Sequence, residues 1–198
     1  SHSLFLKDDG SLWAMGYNGE GQLGNGNTSQ QNNPVQVIQQ GVSQIAAGSF
    51  HSLFLKDDGS LWAMGYNDYG QLGNGSTNYS NPNPVQVIQQ GVAQIATSGS
   101  HSLFLKDDGS LWAMGYNWGG QLGNGSYSNQ NNPVQVIQQG VAQIATGYSH
   151  SLFLKDDGSL WAMGANGNGQ LGNGNTSNQN NPVQVIQQGV AQIAAGAN

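Results

Sequence analysis

His51-Ser52-Leu53-Phe54-Leu55-Lys56-Asp57-Asp58-Gly59-Ser60-Leu61-Trp62-Ala63-Met64-Gly65 occurs four times in this 198-residue chain, beginning at His2, His51, His101 and His150, without one substitution. Two apolar runs flank an Asp-Gly pair, the short-range pattern of a β-hairpin. Leu53-Phe54-Leu55 is apolar without interruption, as in a strand buried on both faces. Recurrence at about 50 residues with strand-forming sequence predicts a repeat fold, each unit one blade of a β-propeller. A single unit could bury its apolar faces only against a neighbour.

The units span 2–50, 51–100, 101–149 and 150–198, and each predicts a four-stranded blade. In the first unit the strands are expected at 2–7, 11–16, 35–38 and 42–48, with Pro34 opening the third, where a proline is tolerated. A polar loop of Gly, Asn, Ser and Gln joins the second strand to the third. The fourth strand ends in Ala-Ala-Gly or Ala-Thr-Gly, the smallest side chains of the unit, which places it at the crowded centre. The strand starting at His2 lies next to it and the Pro-Val-Gln-Val strand outermost. The chain thus starts on the second strand of a blade, and the stretch 190–196 is an innermost strand that completes the first blade either in cis or in trans.

Charged residues make up 7% of the chain and the net charge is −6. All the lysines sit in the Lys-Asp-Asp turns, and only Glu20 and Asp68 are acidic outside them. Without arginine, this is the wrong footprint for a phosphate backbone, so no nucleic-acid partner is expected. No apolar run is long enough for a membrane-spanning helix, and no membrane partner is expected. There is no cysteine, which removes disulfide and thiolate chemistry. With neither an initiating Met nor a signal peptide, the sequence reads as an excised or engineered segment.

The strings Gly65-Tyr66-Asn67-Asp68-Tyr69-Gly70-Gln71-Leu72-Gly73-Asn74-Gly75 and Gly147-Tyr148-Ser149-His150-Ser151-Leu152 resemble the repeat of the regulator of chromosome condensation (RCC1-like) family. The resemblance covers all four units, with Met64 and its equivalents where the family often has Trp. It implies a propeller, usually of about seven blades, and a role as a protein-interaction platform. The family's founder is an exchange factor that sits on chromatin; neither role is carried over, because exchange depends on particular non-repeated residues and this chain has few of them and no basic tail. Four such units span somewhat more than half a circle. Two chains would then complete an eight-blade ring as a homodimer, whereas one chain closing as four blades would need much sharper angles between blades.

The four units differ in three segments, and Ser43 is the only change outside them. The segments follow the second strand, form the loop tip, and link each unit to the next. In a four-strand meander all three fall on one face of the disc, opposite the constant Lys-Asp-Asp-Gly and Gln-Gln-Gly turns. Diversity sorted to one face of a fixed scaffold is the pattern of a binding surface. It carries Phe50, Tyr69, Tyr79, Trp118, Tyr127 and Tyr148, amphipathic anchors for a protein or carbohydrate partner. The competing reading is a recently amplified or engineered repeat without a selected ligand.

No catalytic chemistry is indicated. The Asp-Asp pairs sit in tight turns, where adjacent side chains diverge. The hairpin partly resembles the structural Asp-box of sialidase-type propellers, but Leu6 and Leu12 stand where that motif has hydroxyls. A ring of His2, His51, His101 and His150 could be imagined around a metal, but strand-opening histidines in identical contexts are expected to bond backbone in the neighbouring turn. No nucleophile elbow, phosphate loop or Cys/His zinc spacing is present, so neither metal nor cofactor is expected. The four repeated tryptophans are expected in the packing between blades.

Overall fold

The computed structural model describes residues 1–196, and among these there are strands and turns but no helix. The first unit contributes β1 (His2–Leu6), β2 (Leu12–Gly16) and β3 (Gln31–Ile38). The second blade is β4 (Val42–Ala47), β5 (His51–Lys56), β6 (Leu61–Tyr66) and β7 (Ser80–Ile88). The third is β8 (Val92–Thr97), β9 (His101–Lys106), β10 (Leu111–Gly115) and β11 (Gln130–Ile137). The fourth is β12 (Val141–Thr146), β13 (His150–Lys155), β14 (Leu160–Gly164) and β15 (Gln179–Ile186). Each blade is an antiparallel meander in chain order, so β4, β8 and β12 take one edge as the small side chains require. β4 and β12 both lie against β8, marking that edge as the hub.

Alternation along each hairpin divides its apolar residues between two neighbours. Leu53, Leu55, Leu61 and Ala63 of the second blade form one cluster with Phe104, Met114 and Val92 of the third. Leu103, Leu105, Leu111 and Ala113 meet Phe153, Met163 and Val141 of the fourth in the same way. The core is therefore a series of inter-blade layers, and β5 and β9 are buried on both faces. The repeated tryptophans join it in part. Trp112 packs against the layer while stacking on Phe104 of its own blade, 6.1 Å away. Its indole donates to Ser110 at 2.9 Å, and Lys106 lies over its outer side, 4.8 Å from the ring centroid.

The hairpin turn falls at Asp8-Asp9-Gly10, as expected. Gly10 donates to the Lys7 carbonyl at 2.9 Å and alone takes the left-handed conformation, at φ 75°, so Asp8 and Asp9 occupy the turn centre. Asp9 then accepts from the Ser11 amide at 2.9 Å. One local expectation is corrected: proline does not open the third strand, because β3 begins three residues earlier. Pro34 is accommodated on the outer edge strand beside a register shift between Ala14 and Gly16, where its missing N–H breaks no ladder.

Among the described residues no strand of the fourth blade pairs with the first. β1 pairs only with β2, leaving a three-stranded sheet. Residues 190–196 form no strand with it, so completion of that blade in cis is not formed. Instead the stretch continues past the fourth blade: Val190 donates to the Gly158 carbonyl at 3.1 Å and Gln143 to that of Ala191 at 3.4 Å. The molecule is an open arc.

Candidate functional site

The loops between second and third strands are held rigid from within. The side-chain oxygen of buried Asn117 accepts from the Leu122 amide at 2.9 Å, and its amide group donates to Asn124 Oδ1 and to the carbonyls of Ser126 and Ser128 at 3.0–3.1 Å. Asn18, Asn67 and Asn166 are buried in the corresponding places and accept from Leu23, Leu72 and Leu171. Gly123, at φ 68°, fits the loop against the next blade because a Cβ there would strike the Met163 sulfur. Variable residues thus stand on a fixed frame.

The two faces separate as strand parity requires. On one, the constant turns touch each other from blade to blade: Val42 donates to the Gly10 carbonyl and Asp57 to that of Gly41. On the other, the links and loops meet, with Tyr66 donating to the Phe50 carbonyl and Asn67 to that of Tyr79.

Aromatic rings run continuously across that second face. Tyr17 meets Phe50 at 6.1 Å between centroids, Phe50 meets Tyr66 at 6.5 Å, and Tyr66 meets Tyr69 and Tyr79 at 5.7 and 5.4 Å. Tyr69 meets Tyr116 at 4.9 Å, and Tyr116 meets Trp118 at 5.7 Å. Most of these contacts are edge-to-face or tilted, the arrangements that ring quadrupoles favour. Tyr69, Tyr116 and Tyr148, with Ser100 and Ser149, line a cleft of about 200 Å³. Trp118, 68% exposed, and Tyr79, 57% exposed, stand proudest.

Both carboxylates outside the constant turns are on this face. Tyr66 donates to Asp68 at 3.1 Å, and Tyr79 of the second blade to Glu20 of the first at 3.0 Å. Burial, then the Asp68 contact, pushes the Tyr66 phenol above its usual range; the Glu20 hydrogen bond does the same for Tyr79. The tyrosines therefore remain neutral donors. The lysines belong to the opposite turns and lie over the tryptophans.

Of the residues singled out in the sequence, Phe50, Tyr69, Tyr79, Trp118 and Tyr148 are gathered into the ladder and its cleft, while Tyr127 is exposed but outside it. The sequence reasoning missed Tyr17, Tyr66 and Tyr116, which join the others. The available signal was a tyrosine opening the same segment in three units, with Ala165 in the fourth.

The histidines serve the joints between blades. His51 Nε2 lies 2.9 Å from the Ser102 hydroxyl of the next blade, and Ser102 donates to the Gln71 carbonyl at 2.9 Å. His2–Ser52–Gln22 and His101–Ser151–Gln121 repeat the arrangement. Because the serine proton is committed to the carbonyl, Nε2 carries the imidazole hydrogen. This corrects the expectation of a backbone partner: the ring nitrogen meets side-chain hydroxyls of the neighbouring blade, and for His51 the Thr97 hydroxyl lies 2.7 Å away as well. Burial lowers the pKa of His51 and His101 to about 3 and of His2 to about 4. Among the described residues, no group of three or more His, Cys, Asp or Glu is placed to hold a metal ion.

The chain thus folds as a propeller arc with a rigid, aromatic loop face. The model of the RCC1-like domain matches residues 1–198, so the chain belongs to that family. Prp20p of Saccharomyces cerevisiae, whose structure is described with its binding properties to Gsp1p and histones, superposes with a TM-score of 0.84 at 22% identity over 94% of this chain. Yeast RCC1 (Prp20) bound to Kap60 gives 0.82 at 22% identity, again over 94%. Human WBSCR16 gives 0.62 at 25% identity, covering 99% of this chain and 68% of that one. The chain spans about half the length of Prp20, 48% and 47% in the two structures. No curated protein matches it.

Proposed function

We propose that this chain is a non-enzymatic binding module whose loop face takes a protein partner through lysine or arginine side chains. The observation that carries the reading is the cleft between Tyr69, Tyr116 and Tyr148 on a face with two carboxylates and no lysine. Tyrosine rings around a small cleft attract an ammonium or guanidinium group through their quadrupoles, by about 0.5–2 kcal/mol depending on desolvation. Trp118 and Phe50 extend the apolar contact outward, as anchors do in protein interfaces. Prp20p, similar in fold, is described as binding Gsp1p and histones, which supports protein recognition by propellers of this kind. His2, His51 and His101 and the second aspartate of each turn are engaged in structural bonds, which favours a role without catalysis. The second partner in this reading is another copy of the chain, completing an eight-blade ring.

The test is titration with a lysine/arginine-rich peptide, its glutamine-substituted counterpart, and neutral oligosaccharides. The basic peptide should bind, weaken with added salt, and lose affinity roughly tenfold in Tyr69→Ala and in Trp118→Ala. Binding only to oligosaccharides, peptide binding indifferent to both substitutions, or no binding to any probe would overturn the reading; the last would favour a repeat amplified without a selected ligand.

A further inference from the structure

The two ends of the arc have complementary vacancies. His2, His51 and His101 each reach a serine in the next blade, but among the described residues His150 makes no side-chain hydrogen bond, and at the other end neither does the exposed Ser3 hydroxyl. Gly26, Gly75 and Gly125 donate to carbonyls of the following blade at 2.8–3.0 Å, while Gly174 has no such partner. A Cβ on Gly24, Gly73 or Gly123 would strike the methionine of the next blade; on Gly172 it would meet only Val185 of its own. Met64, Met114 and Met163 are fully buried beneath those loops, whereas Met15 is not. Phe5 is half-buried where Phe54, Phe104 and Phe153 are fully covered. Leu152 and Leu160 are partly uncovered at the far end, where their counterparts in the second and third blades are fully buried.

Every group missing a partner at one end thus has that partner at the other, in the geometry already used at three internal joints. We propose that two copies of this chain join head to tail, with residues 190–196 of each forming the innermost strand of the other's first blade and His150 donating to the partner's Ser3. This rests on the reading of the chain as half of a ring, and it specifies the joint. Val42 lies opposite Lys56, Ile45 opposite Phe54 and Ala47 opposite Ser52. By repeat equivalence Val190 faces the partner's Lys7, Ile193 the partner's Phe5 and Ala195 the partner's Ser3. The Ser3 hydroxyl then donates to the partner's Gln170 carbonyl, completing the relay. The interface is heterologous, but two such arcs related by a twofold axis close on themselves and leave no blade without its inner strand.

Light scattering on the full chain should give twice the mass of one chain; the mass of a single chain overturns the proposal. The double variant Ser3→Cys/Ala195→Cys, in a protein with no other cysteine, then reads the register. Opposed residues of antiparallel strands lie within disulfide range, so oxidation should give a covalent dimer. An internally bridged single chain, an open-ended ladder of higher oligomers, or no cross-link would each overturn it. Ser3→Ala provides a milder probe and should raise the dimer dissociation constant about tenfold by removing one hydrogen-bond relay from each joint; an unchanged constant removes the relay from the proposal. None of these readouts involves the loop face, so the joint and the peptide cleft succeed or fail separately.

Discussion

At the scale of single residues, the serine after each histidine holds two blades at once. Ser102 is fully buried, accepts from His51 and donates to the Gln71 carbonyl. Ser102→Ala leaves the buried Gln71 carbonyl unpaired, while His51 Nε2 keeps the Thr97 hydroxyl 2.7 Å away, and should destabilise the protein by about 1–3 kcal/mol, measured by chemical denaturation. The histidines themselves set an acid limit. His51 and His101 fall from the ordinary value of 6.5 to about 3, so between those values the unfolded chain binds more protons than the folded one. Their contribution is fully present above pH 6.5 and is lost as pH falls towards and through 3, by at most about 1.4 kcal/mol per pH unit for each. Denaturant midpoints measured from pH 7.5 to 4 should be level at the alkaline end and decline below about 6.5; a curve flat down to pH 4 would contradict buried neutral imidazoles. That histidine opens each repeat was plain in the sequence. Its partner was not, because Ser52 follows His51 in the chain while bonding His2 from the preceding blade.

Among elements, the hairpins were legible because their alternation divides leucines from phenylalanine and tryptophan, and only burial on both sides accommodates both sets. The polar loops were legible only as loops. Their Asn-Gly spacing conceals a buried amide that organises the segment, and one-dimensional pattern does not distinguish a staple such as Asn117 from exposed Asn178. Asn117→Asp tests that order: the acceptor for Leu122 is kept, while the donors to Asn124, Ser126 and Ser128 are lost. Hydrogen exchange should quicken through the loop tip, and stability should fall by about 2 kcal/mol or more from the unpaired carbonyls and a buried carboxylate. The third strand shows where turn chemistry misleads. Pro34 marked a boundary in the sequence, but an outer edge with a register shift lets the strand begin at Gln31.

Across the whole molecule, the separation of constant turns from diverse loops was readable by counting strands, because each antiparallel return reverses the face on which the chain emerges. The continuity of the aromatic ladder was not, since it depends on the wedge between blades bringing Tyr69 of one against Tyr116 of the next. Openness of the arc carries a thermodynamic prediction. A protein whose first blade is completed by a second copy gains stability by mass action. Its melting temperature should rise with protein concentration over a hundredfold range, as read by calorimetry or circular dichroism; a concentration-independent value would place all the stability within one chain.

Identity of the four hairpins has one more consequence, for the route to the fold. β5, β9 and β13 carry one sequence, His-Ser-Leu-Phe-Leu-Lys, so side chains provide no address by which β4 recognises its own neighbour, β5. Proximity along the chain does the sorting, through the three-residue spans 48–50, 98–100 and 147–149 that bridge each inner strand to the next. Those short spans act as proofreaders: a flexible insertion there would let misdirected pairings compete during refolding while leaving every native contact intact.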